Sequence, residues 1–354
     1  MAVMAVLVPF LIGLEQVGLF AAVFSLPGAI SSFIELYFLA SINSPGLRAV
    51  ALMQFLILSA IGALVIITIS GVLFDFCVVL VSVMLFVMLL FRAFVFSLAI
   101  ASGGYTRQIV RSELVVLASY LGVLPACFLL GQDGAIVPLT MTSTGLLLSS
   151  LFLWFHTSAS ISVLRRESRF GARGVFSGVS LAAALGKTFE DGFLTLQPFL
   201  LTNAFSAETA GFFRVMVTVL KGGFKLFPFR HDVVLREFSG DTGRNAEDGA
   251  KIRRACDLFS IGGVVLGLPI AAFVLAQNGS TVVLCVLGSG FVITALALFP
   301  AASILSTSVR FAGVAAVVTL ALTAMYLPLI VFSAAFILLS FGVSRWCLRT
   351  LVKS

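Results

Sequence analysis

Apolar residues along this chain fall into blocks of about twenty, separated by short polar gaps, and the pattern persists from one end to the other. A helix that crosses a bilayer needs roughly 20 apolar residues at a 1.5 Å rise each. That ruler predicts spans at 17–41, 48–70, 74–101, 113–131, 134–157, 177–202, 207–229, 257–276, 281–303, 310–326 and 327–345. Residues 1–13 are apolar but short for a crossing. They read as the closing half of a truncated first span, which brings the expected total to about twelve. The last two spans meet at Tyr326-Leu327-Pro328, so either they form a tight hairpin or one boundary is misplaced. The longest polar segments, 164–174 and 230–254, leave no room for a soluble domain.

The gaps alternate in charge. Those around Arg48, around Arg107 and Arg111, across 165–173 and 230–254, and around Arg310 are basic, as is the tail with Arg345, Arg349 and Lys353. The gaps between them hold only Glu15, Asp75, Asp133, Glu208 or uncharged residues such as Gln277 and Asn278. Positively charged loops remain cytoplasmic, so the basic gaps and the C-terminus are expected on that side. Tyr105, Trp154 and Trp346 then fall near cytoplasmic helix ends and Tyr326 near an outer one, as an aromatic belt requires.

Composition agrees. Hydrophobic residues make up 60% of the chain and charged residues 10%, against about 25% charged in soluble domains. A formal charge of +7 is therefore no nucleic-acid signature, because the cations sit in loops that would meet anionic headgroups. The five cysteines are scattered without a CxxC or a Cys/His cluster, which argues against a metal site or a disulfide framework. His156 and His231 lie at cytoplasmic helix ends and read as interfacial. Leu185-Gly186-Lys187-Thr188 imitates the end of a phosphate-binding loop, but position 181 is Leu where the motif needs Gly. Nothing resembles a catalytic triad or a paired-carboxylate site, and the outer gaps are too short to present one. The chain is expected not to be an enzyme.

Charges inside the spans carry the chemistry. An ionised group at mid-bilayer costs about 2.5–3.5 kcal/mol on insertion scales. The seventh span nevertheless holds Lys187, Glu190 and Asp191, spaced i, i+3, i+4 on one face, and the eighth holds Arg214, Lys221 and Lys225, spaced i, i+7, i+11 on one face. Two such stripes are expected to face a wet cavity. If Glu190 or Asp191 pairs with Lys187, the remaining cations are available to an anionic ligand. Arg92 on the fourth span adds a cation from the first half, unless it snorkels to the inner surface, and Glu35 has the same two options. In the alternative reading Arg214 and Lys225 snorkel to opposite interfaces and Lys187–Asp191 is a satisfied internal pair.

An internal echo divides the chain. Glu15-Gln-Val-Gly18-Leu-Phe20 recurs as Glu208-Thr-Ala-Gly211-Phe-Phe213, an offset of 193 residues. Each copy lies in the outer gap between the first and second spans of a six-span half, so the halves have the same orientation, as in parallel transporter repeats. The expected organisation is an N-terminal lobe at 1–160, a cytoplasmic linker at 161–176 and a C-terminal lobe at 177–354.

These stretches resemble a known family. Leu11-Ile-Gly-Leu-Glu-Gln-Val-Gly18-Leu-Phe-Ala-Ala is similar to the end of span 1 and start of span 2 in polysaccharide flippases of the multidrug/oligosaccharidyl-lipid/polysaccharide (MOP) exporter superfamily. Asp191 with Phe205-Ser-Ala-Glu-Thr-Ala-Gly211-Phe-Phe-Arg214 resembles their span 7–8 junction, and Leu226-Phe227-Pro228 fits the end of span 8. The resemblance implies an all-α, MATE-like polytopic membrane fold of two six-helix lobes in a bacterial inner membrane. It implies transport of a polyprenyl-pyrophosphate-linked saccharide through a cationic cavity between the lobes. Arg92, Lys187, Arg214, Lys221 and Lys225 are the candidate substrate-binding residues. Glu190 and Asp191 form either an ion-coupling site for H+ or Na+ or a structural pair with Lys187. No other cofactor is implied, and the neighbours implied are membrane lipids and a polysaccharide polymerase or glycosyltransferases. The alternatives are an ion-coupled drug or small-molecule exporter of the same superfamily and a non-transport membrane component of envelope polysaccharide synthesis. The basic stripe on span 8 argues against a pump for cationic drugs.

Overall fold

The computed structural model describes residues 13–43, 48–101, 136–157, 192–226 and 306–353 as continuous stretches, with parts of 111–122, 254–265 and 291–302. Every regular element among the described residues is α-helical. The principal helices are α1 (Leu14–Asn43), α2 (Arg48–Leu73), α3 (Phe76–Ala101), α4 (Ile136–Thr157), α5 (Gln197–Ala204), α6 (Ala207–Leu226), α7 (Thr307–Tyr326) and α8 (Leu329–Lys353). The described positions within 111–122, 254–265 and 291–302 are helical as well.

Five helical stretches are long and apolar enough to cross a membrane: Leu14–Leu39, Val50–Leu73, Phe76–Ala99, Thr307–Tyr326 and Leu329–Leu351. Their outward faces could not be held in water. On α2, Leu56, Ile61, Leu64 and Val72 stand open, as do Phe76, Leu80, Met84 and Val87 on α3 and Ile330, Leu338 and Phe341 on α8. A contiguous apolar exterior on this scale marks surface meant for lipid. The protein is a multi-pass membrane protein.

The chain divides into two compact units, Val3–Lys187 and Thr188–Ser354. In the first, α1 lies at the centre, packed on α2 and most extensively on α3, while α3 also packs on α4. The most apolar stretch of α1 is 61% buried, against 28% for those of α2 and α3. Small side chains explain its position, because Ala21, Ala22, Ser25 and Ala29 let neighbouring backbones approach. At Gly62 on α2 an added Cβ would lie 2.7 Å from the Phe86 ring of α3 and 2.8 Å from Ile30 of α1. Nearer the other end, Phe38, Phe55 and Phe94 bring α1, α2 and α3 together with centroids 4.8 to 5.5 Å apart. Phe91 meets Trp154 of α4 at 6.1 Å, at about the same level.

The second unit has an aromatic core. Phe193, Phe213, Phe332 and Phe336 are all buried, with Phe213 edge-on to Phe336 at 5.5 Å and Phe193 tilted against Phe336 at 5.0 Å. Arg345 of α8 pairs with Asp257 at 3.1 Å and lies over Phe341, so the charged ends of two separate segments meet on one side. Both groups are well exposed, so the pair adds little stability.

Three helix pairs are joined by two residues each: α5 and α6 through Phe205-Ser206, and the two long apolar pairs α2–α3 and α7–α8. Between α2 and α3 the Asp75 carbonyl accepts the amides of Val78 and Val79 at 3.0 and 3.1 Å, opening α3. Between α7 and α8 the hairpin expected at Tyr326-Leu327-Pro328 is present. Leu327 is extended (φ −123°, ψ 156°), the conformation a following proline imposes by clashing with the helical alternative. Its amide still closes α7 on Thr323 at 3.1 Å, and the Pro328 carbonyl starts α8.

One predicted helix is corrected. The run 177–202 is not continuous over its described part: residues 192–194 are helical, Thr195 and Leu196 interrupt, and α5 then extends to Ala204. Pro198 supplies the reason, because it has no N–H to offer the Leu194 carbonyl and is favoured instead in the first turn of a new helix.

The close approach at Gly62 gives a stability prediction. Gly62→Val must displace Phe86 or Ile30 and is expected to destabilise the first unit by about 1–3 kcal/mol. Thermal unfolding in detergent should show a lowered midpoint, whereas Gly71→Val, where no atom lies within 4 Å, should stay near wild type.

Candidate functional site

The seven residues singled out by charge are placed unequally. Lys187, Glu190 and Asp191 lie outside the described residues, so the face they were expected to share is not described. Arg92 is half-buried on α3, about 24 Å along that helix, beside the Phe91–Trp154 contact. Arg214 is half-buried on α6. Lys221 and Lys225 belong to the same helix, and only their backbone is described. Arg92 thus belongs to the first unit and the α6 cations to the second.

Helix α6 begins where its sequence directs. Ser206 is the N-cap: its hydroxyl accepts the Thr209 amide at 3.1 Å, satisfying one donor that the first turn leaves over. Glu208 follows in the first turn, exposed and close to the positive end of the helix dipole. The helix then runs unbroken from Ala207 to Leu226. Positions 221 and 225 therefore lie within about 20° of 214 on either side around its axis, and the three stand at about 10, 21 and 27 Å from its start. The stripe is one line of cations along the length of a single helix.

The surroundings of Arg214 are described. Ala210, Gly211 and Val217 lie within about 60° of it around the axis, and all three are buried. Glu208, about 120° away, is exposed. Phe213, on another flank, is fixed by Phe332 and Phe336 of α8. The first half of α6 is thus packed in protein on several sides, since Phe212, about 160° from Arg214, is buried as well. A guanidinium has the fork geometry for a bidentate contact with an anion.

Reading by charge alone did not find the polar device at the start of α5. Gln197 is fully buried, and its side-chain amide donates across the helix interruption to the Gly192 carbonyl at 3.2 Å. Its carbonyl oxygen, Oε1, has no hydrogen-bond partner among the described residues. Gly192 itself lies against α7, where an added Cβ would lie 2.6 Å from Val317. The signal available in the sequence was Gln197-Pro198, since a proline within an apparent helix ends or kinks it.

No group of three or more metal-ligating side chains occurs among the described residues. Loss of the amide bridge in Gln197→Ala leaves the Gly192 carbonyl unpaired and opens a void, and it is expected to cost about 1–3 kcal/mol. Thermal unfolding compared with Thr202→Ala, a half-buried position on the same helix, separates this from a general alanine effect. Comparison with known family models, curated proteins and solved structures finds no match to this chain, so its function is read from its residues.

Proposed function

We propose that the protein is a flippase that carries a polyprenyl-pyrophosphate-linked oligosaccharide, such as an O-antigen, capsule or exopolysaccharide repeat unit, across a bacterial inner membrane. The observation that carries this reading is the cation line on α6. Three basic residues share one face of a continuous helix, which this reading takes as the eighth span, and the residues flanking Arg214 are buried. Cations held within a bilayer at this cost are functional candidates by default. A substrate with a long apolar tail, a pyrophosphate and a neutral sugar fits such a helix. The tail stays in lipid, the sugar crosses in water and the pyrophosphate needs positive partners throughout.

In this reading about twelve helices form two six-helix lobes that rock to open the cavity alternately inward and outward. Arg214, Lys221 and Lys225, with Lys187 and with Arg92 from the first half, neutralise the pyrophosphate as it moves. Because the α6 cations are spaced along some 17 Å of helix, the anion can pass from one to the next without losing charge compensation. Glu190 or Asp191 either binds a coupling H+ or Na+ or holds Lys187 in place. The C-terminus is cytoplasmic, as the basic gaps dictate.

Two measurements test this. Flipping of a labelled lipid-linked oligosaccharide in proteoliposomes should fall about tenfold or more in Arg214→Ala and in Lys221→Ala, the loss expected when a charge-assisted contact is removed; unchanged rates in both would remove the cavity mechanism. For orientation, Cys77 is exposed at the start of α3, beside the acidic gap at Asp75. In a variant retaining Cys77 as its sole cysteine, a membrane-impermeant maleimide should label intact spheroplasts, whereas labelling confined to inverted vesicles would reverse the assigned topology.

A further inference from the structure

Helices α1 and α6 match beyond their shared motif. The 193-residue offset that superimposes Glu15 on Glu208 also superimposes the helix starts, Leu14 on Ala207. It superimposes the first hydrogen bonds too: Val17 donates to Gly13 and Ala210 donates to Ser206, both at 3.2 Å. The two caps reach this by different means. Ser206 uses its hydroxyl, and Gly13 adopts a positive φ of 81°. Burial agrees at each of the first five positions: half-buried, exposed, half-buried, buried, buried in both helices. The aromatic of each copy turns to its own unit's core, Phe20 against the Val23–Leu85 cluster and Phe213 against Phe332 and Phe336.

With the copies aligned, the cation line has no counterpart. Arg214, Lys221 and Lys225 correspond to Ala21, Gly28 and Ser32. These small residues lie on the side of α1 opposite Ile30 and Ile34, which meet Gly62 of α2. The same face is therefore charged in one copy and neutral in the other. Ala21 and Gly28 are buried and Ser32 half-buried, so the neutral copy has not simply exchanged lysine for another solvated residue.

We infer that the two matched helices have divided the substrate between them: α6 binds the anionic group, and its counterpart α1 contributes nothing to the anion site, so that what the first half adds comes from Arg92 on α3. The anion's identity as a pyrophosphate rests on the flippase reading above. The charge asymmetry does not, because it follows from the aligned helices. Any substrate of a protein built this way should be polar in the same sense, anionic at the end that meets the second repeat.

Binding of inorganic pyrophosphate to the full chain in nanodiscs tests the division. Wild type should bind, and Lys221→Gln and Arg214→Gln should each weaken binding about tenfold or more, as loss of a charge-assisted contact does. Lys221→Arg, which keeps the charge, should retain binding and so separates an electrostatic loss from misfolding. Ser32→Lys, which places in the first copy the charge its counterpart Lys225 carries, should change affinity less than about twofold. Tightening by Ser32→Lys comparable to the loss in Lys221→Gln would overturn the division, because both copies would then serve one anion site. Unaltered binding in Lys221→Gln and Arg214→Gln would also overturn it. Failure of wild type itself to bind would instead remove the pyrophosphate reading.

Discussion

Hydrocarbon has no water to offer, and that single constraint shapes this molecule. Every backbone amide and carbonyl within the bilayer must find its partner inside the protein, which leaves the helix as the available element and keeps the links between helices short. The same constraint governs the side chains. Hydroxyls donate back to their own helix, Ser41 to the Tyr37 carbonyl, Ser150 to Leu146, Thr202 to Pro198 and Ser333 to Leu329. A serine satisfied in this way brings no unpaired polarity to a neighbouring helix and behaves as a small spacer. Stability then depends on how closely helices can approach, which is why glycine at 62 and 192 matters more here than any exposed ion pair.

Much of this was legible in the sequence because hydropathy and helix length share one ruler. The boundaries of α2, α3 and α7 fall within a few residues of the predicted spans, and of the two options left open at Tyr326-Leu327-Pro328, a tight hairpin or a misplaced boundary, the hairpin is found. The interruption before α5 was missed because a hydropathy window averages over it: Thr195 and Gln197 are outweighed by Phe193, Leu194, Phe199 and Leu200. What hydropathy records is transfer to oil, and it is indifferent to whether the backbone inside the apolar run is continuous.

The candidate site was legible in part. Periodicity placed 214, 221 and 225 on one line, and an unbroken α6 carries them there. The packing around Arg214 was not a property of the spacing. It depends on Ala210, Gly211 and Val217 being buried, and burial is set by neighbours far away in sequence. The likeness of α1 and α6 was also faint in letters, with three identities in six residues, and the two helices agree further in cap position, first hydrogen bond and burial at the first five positions. Burial can agree where side-chain identity does not, because many residues satisfy the same packing requirement.

The two-residue joints at Phe74-Asp75 and Leu327-Pro328 bear on biogenesis. A pair of apolar helices tied so tightly has no slack for one member to enter the bilayer while its mate waits outside. Each pair must therefore partition together as a preformed antiparallel unit, and the orientation of either member settles that of the other. The topology of α2 is thus tied to that of α3, and the topology of α7 to that of α8.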